Sequence, residues 1–127
     1  MRGYDIRVAA LALAAPAKWI DNLLSQHEVG DVVHARRGVA RKISHSALVH
    51  LALTRELHEL LGMGVRDALQ LARELLTSTA TEVPTGHLRI ALDRSALERT
   101  LDLRLREVLE SAPAPRRGRP PRRHVPE

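Results

Sequence analysis

The chain has 127 residues, with 20 Lys and Arg against 15 Asp and Glu, a formal charge of +5, and no cysteine. That length suits one core plus a tail, and the missing cysteine excludes a disulfide framework, a thiolate metal site and a redox thiol. Trp19 and Tyr4 are the only aromatic residues, so stacking platforms for single-stranded nucleic acid are nearly absent.

Charge placement is uneven. The stretch from Pro113 to Glu127 holds five arginines against one glutamate, which is +4 of the formal +5. In the body, His34 to His45 carries Arg36, Arg37, Arg41 and Lys42 with no acid among them. Positive charge therefore gathers where a duplex would be gripped. No stretch approaches a transmembrane span and no basic start leads into a long apolar run, so a cytoplasmic, nucleoid-associated location and no membrane partner are expected.

In chain order, residues 1–5 read as a loose lead-in. Ile6 to Ala15 predicts a helix, because alanine and leucine are good formers and nothing interrupts them before Pro16. Pro16 to His27 predicts a second, since Pro16 suits a first helical turn. Ile20, Leu23, Leu24 and His27 recur at the spacing of one helix face, which leaves Lys18, Asp21, Asn22, Ser25 and Gln26 opposite. Gly30-Asp31 makes a turn into a β-leaning segment, Val32 to Ile43, with its tip near Gly38.

Ser44 or Ser46 caps a third helix whose Leu53, Leu57, Leu60 and Leu61 are expected in the core. After the break at Gly62 and Gly64 comes a fourth helix, with Val65, Ala68, Leu69, Ala72, Leu75 and Leu76 on one face. A polar loop from Thr77 to Gly86 separates this unit from the next. Leu88, Ile90 and Leu92 alternate as a half-buried strand, and Ser95-Ala96-Leu97-Glu98 has the capping-box pattern of a helix start. Leu97, Leu101, Leu105 and Val108 form a stripe, although alternation at Leu101, Leu103 and Leu105 leaves a strand reading open. With no obvious partner inside the chain, the strand and the stripe together predict pairing between two copies.

The chemistry points to duplex DNA. Asn22 and Gln26 carry amides one turn apart that can pair with adenine edges, and Lys18 can reach guanine or a phosphate. Trp19 either stacks on a sugar or seats the helix in the core. Arg36, Arg37, Arg41 and Lys42 are candidate phosphate contacts. In the tail, Arg117-Gly118-Arg119-Pro120 is the core of an AT-hook. The two arginines would lie along a narrow minor groove, and glycine lets the backbone press into it. Arg116, Arg122 and Arg123 would add phosphate contacts. The usual hook has proline before its first core arginine, where this chain has Arg116. The alternative is a plain charged, solubilising tail.

From about Ile6 to Leu76 the chain resembles the winged helix-turn-helix of the MerR and excisionase-like families. The matching pieces are VAALALAA, AKWIDNLLSQHEV, VVHARRGVARKIS, SHSALVHLALTRELHELLG and GVRDALQLARELL. MerR-like members usually carry an arginine–tyrosine pair where this chain has Asp21-Asn22-Leu23-Leu24, and excisionase-like variants tolerate the Leu-Leu. The resemblance implies a mainly α fold with a hairpin wing over residues 1–78; beyond it, the residues themselves read as a strand–helix dimerisation element over 87–112 and a disordered basic tail over 113–127. It implies a bacterial transcription regulator, a homodimer with its second helix in the major groove and its wing on the backbone.

Two other readings stand beside it. One is an antitoxin-like protein whose strand and helix bind a toxin while the rest represses its own operon. The other is a nucleoid-associated or recombination-directionality protein that bends DNA. No enzyme is expected. His27, His45, His50, His58 and His87 are scattered without metal-ligand spacing, Ser44 and Ser46 lack a His–Asp arrangement, and no P-loop or dinucleotide glycine pattern occurs. No catalytic residue, metal or cofactor follows from the sequence.

Overall fold

The computed structural model describes residues 3–29, 32–33 and 41–111, so Arg36, Arg37, Gly38 and the arginine-rich tail lie outside the described residues. The fold is mainly helical, with five helices and two two-stranded antiparallel ladders among the described residues. Among the described residues, no helix is long and apolar enough to cross a membrane.

The lead-in is not loose where it is described. Tyr4 exchanges both backbone hydrogen bonds with Ile43, each at 2.8 Å, and Asp5 Oδ1 accepts from Val8 N–H at 2.9 Å. Asp5 thereby caps helix α1, Ile6–Leu13. The helix stops before the expected Ala15, because Ala14 turns left-handed (φ 51°). Pro16 disfavours helical backbone at Ala15, so the chain reverses one residue earlier. The N–H groups of Ala14 and Ala15 return to the Leu11 and Ala10 carbonyls.

Helix α2, Ala17–Gln26, starts directly after Pro16 and buries Ile20, Leu23 and Leu24. Strands β1 (Val32–Val33) and β2 (Lys42–Ile43) pair with Val32 opposite Ile43. Ser44, not Ser46, caps α3, His45–Leu61, its Oγ accepting from Ala47 N–H at 3.1 Å. Helix α3 and helix α4, Val65–Thr77, pack along each other. Between them Gly62 adopts φ +68°, a backbone that glycine takes without the Cβ clash. Leu53 and Leu57 enter the core as expected, but Leu60 and Leu61 stay 72% and 62% exposed. They occupy the last turn of α3 and line an open groove rather than a packed face.

The loop expected between Thr77 and Gly86 contains a strand. β3, Glu82–Thr85, pairs antiparallel with β4, Leu88–Ala91, with Val83 opposite Ile90. Pro84 lies within it, a position that an edge strand tolerates. The tip is Gly86-His87, with Gly86 at φ +62°, as a two-residue hairpin turn requires. The strand at Leu88 therefore has a partner within the chain.

Helix α5, Arg94–Ser111, follows; Asp93 Oδ1 accepts from Ala96 N–H, so Asp93 performs the capping expected of Ser95. The strand reading of Leu101 to Leu105 is excluded. Helix α5 folds back onto α1 and α3. Leu101 and Leu105, 2% and 4% exposed, join the core cluster of α1, α2 and the first half of α3. Those two leucines were expected between copies; α1 already covers them. Leu97, Ile90 and Leu92 lie half-buried against a second cluster built by α3 and α4, Val108 is half-buried and Leu88 is exposed.

Candidate nucleic-acid interface

Helix α2 divides cleanly. Its buried face is held from below by Trp19, whose ring lies half-buried beside α3, with the Arg55 guanidinium 5.0 Å from the ring centroid and the His58 ring at 6.2 Å. Cation–π attraction of this kind adds about 0.5–1 kcal/mol at partly exposed sites. Of the two roles open to Trp19, the structure places it in packing. The opposite face presents Lys18, Asn22 and Gln26, all exposed. They are successive turns of one stripe. Among the described residues, no hydrogen bond or ion pair engages their side chains. Asp21 and Ser25 flank the stripe, and Ser25 Oγ donates to the Asp21 carbonyl at 2.8 Å.

The base of the first ladder is tied to this helix. Arg41 Nη1 donates to Asp21 Oδ1 at 2.7 Å and to the Asp21 carbonyl at 3.3 Å. Its side chain is only 13% exposed, and among the described residues its buried Nε meets no partner. A guanidinium so enclosed is not an open phosphate contact, unlike exposed Lys42 one residue later. Arg41 acts instead as a strut between the ladder and the helix that carries the stripe. No local pattern revealed it, because the two partners lie 20 residues apart and meet only through the fold.

The chain matches no known family, no curated protein and no solved structure. The functional reading therefore rests on geometry and chemistry. Among the described residues no group of three or more His, Asp or Glu is placed to hold a metal. His45, His50 and His58 serve packing contacts within the fold. His45 Nε2 meets Asp102 Oδ1 at 2.8 Å, and His58 Nδ1 donates to the Met63 carbonyl at 2.6 Å. His50 Nε2 donates to the Leu69 carbonyl at 3.0 Å, joining α3 to α4. Burial lowers the His50 pKa below its usual value; the bond to Leu69 opposes this and the Arg73 charge adds to it.

Proposed function

We propose that the chain is a duplex-DNA-binding transcription regulator of winged helix-turn-helix type, with α1, the Ala14 turn and α2 as the helix-turn-helix and the β1–β2 ladder as the root of the wing. The observation that carries this reading is the stripe Lys18, Asn22 and Gln26, exposed and, among the described residues, unengaged on a helix whose other face packs into the core. A ten-residue helix spans about 15 Å and enters a major groove about 12 Å wide. Asn22 and Gln26 supply the amides that read adenine, and Lys18 supplies a cation one turn earlier. The Arg41 strut holds the root of the wing against that helix, a placement that suits Lys42, Arg36 and Arg37 to grip the adjacent backbone while α2 is seated. The tail arginines Arg116, Arg117, Arg119, Arg122 and Arg123, with Gly118, enter an A·T-rich minor groove beside the site. The protein works as a homodimer on a two-fold site.

The test is selection of bound duplexes from a randomised pool, followed by titration at several salt concentrations. Asn22→Ala should relax preference at one base position and cost roughly 1–3 kcal/mol on the best site. Lys42→Gln should flatten the slope of log K against log salt by about 0.9. A folded protein that binds no duplex even at low salt ends this reading.

A further inference from the structure

The two edges of the β3–β4 hairpin are unequal. A two-residue tip makes Thr85 and Leu88 a hydrogen-bonded pair, and such pairs alternate along an antiparallel ladder. Leu92 N–H donates to the Thr81 carbonyl at 2.8 Å, which confirms that phase. The outward-facing backbone groups of β3 therefore belong to Glu82 and Pro84. Both are closed to pairing: Ser78 Oγ sits on the Glu82 carbonyl and N–H, at 3.1 and 3.5 Å, and Pro84 has no N–H. Proline at such a position is a recognised block to edge pairing. On β4 the outward groups belong to Arg89 and Ala91, both exposed, and nothing among the described residues covers them. This open edge borders a groove of about 760 Å³ floored by the leucines of α3 and α5.

We infer that β4 pairs edge to edge with β4 of a second copy, antiparallel about a two-fold axis at Ile90. The sequence of the strand is self-complementary in that register. Arg89 falls opposite the partner's Ala91, so four outward backbone bonds form without opposing like charges. Ile90 meets the partner's Ile90, and Leu88 meets the partner's Leu92. Leu88 is 68% exposed in the single chain, and this pairing gives it an apolar neighbour. Arg89 stays on the other face, where its Nη1 meets Glu82 Oε1 at 3.0 Å. The dimer so formed is the homodimer of the proposed regulator and rests on that reading for its purpose. It uses the strand and leaves Leu101 and Leu105 in their own core.

The experiment is site-directed cross-linking without DNA in the full chain, which has no cysteine of its own. Ile90 and its mate form a non-hydrogen-bonded pair, whose Cα atoms lie about 4.5 Å apart, within disulfide reach. With diamide as oxidant, Ile90→Cys should give a covalent dimer. Leu88→Cys alone should not, whereas Leu88→Cys combined with Leu92→Cys should. Ala91→Pro, which copies on β4 the device already present at Pro84, should sediment as a monomer. Should that variant misfold, exposed Leu88→Arg supplies the same test. Wild-type protein that stays monomeric up to roughly 100 µM, or cross-linking through Leu60→Cys and not Ile90→Cys, overturns the pairing. The two proposals fail separately: a dimer that binds no duplex sinks only the regulator, whereas a monomer that binds duplex sinks the edge pairing and the two-fold site and leaves duplex binding standing.

Discussion

The ladder β1–β2 is flanked on its β2 side by Tyr4, which exchanges backbone bonds with Ile43, and its base is pinned by Arg41 to Asp21. The ladder β3–β4 is held to the body through its apolar face and through Ser78, and among the described residues nothing covers the outer edge of β4. The first is tied down at its root and turns Lys42 outward. The second is blunted on one edge only and turns leucine outward. Two short ladders of similar plainness in sequence are thus suited to different partners, because what surrounds each decides which backbone and side-chain groups remain unused. A strand's own residues state which face is apolar; its neighbours state which edge is available.

Two leucine substitutions in α5 test whether that helix belongs to the body or to a partner surface. Leu101→Ala should cost about 2–5 kcal/mol in denaturant unfolding, the range for a buried leucine. Leu103→Ala, at a position 54% exposed, should change stability by less than about 0.5 kcal/mol. Equal, small effects at both positions would return Leu101 to an interface between copies.

Next in size is the strut. Arg41→Gln should cost about 1–2 kcal/mol, reduced from the value for a fully buried pair because Asp21 is 58% exposed. On DNA it should lower affinity while leaving the salt slope as in wild type, in contrast to Lys42→Gln. A slope flattened equally by both substitutions would make Arg41 a phosphate contact after all.

Smaller still is the turn between α1 and α2. Ala14 holds φ 51° in an exposed position, a conformation that costs an L-residue roughly 1–2 kcal/mol. Ala14→Gly removes that strain but adds unfolded-chain entropy, so a net gain of about 0.5–1 kcal/mol is expected in thermal melts. Destabilisation there would show that the turn is relaxed as it stands.

The shallowest effect is that of His50. Its folded pKa is depressed and its unfolded value is the ordinary 6.5, so the folded chain resists a proton that the unfolded chain accepts. The contribution is intact above pH 6.5 and is lost as pH falls through the depressed folded value. Between pH 7 and 6 the loss should stay below about 1 kcal/mol for one site. His50→Gln should flatten that part of the pH profile, and an unchanged slope would remove His50 as its cause.

All five helices were legible because period and capping are local properties. Lys18, Asn22 and Gln26 were legible for the same reason: the apolar stripe of α2 fixed the opposite face as polar. The strut was not, since Asp21 and Arg41 carry no mutual signal until the chain brings them together. The strand β3 was hidden by Pro84, whose effect depends on whether its nitrogen faces a ladder or solvent.

The sequence alone determined where helices run and which of their faces are apolar, because those follow from the spacing of side chains along a known repeat. It also determined that positive charge gathers in two segments. Which apolar faces are already covered was settled by packing between elements. Leu101 and Leu88 look alike along the chain, yet α1 lies over the first and nothing among the described residues lies over the second. Burial depends on which elements meet in space, and the choice of α1 as the partner of α5 is written in no local stretch.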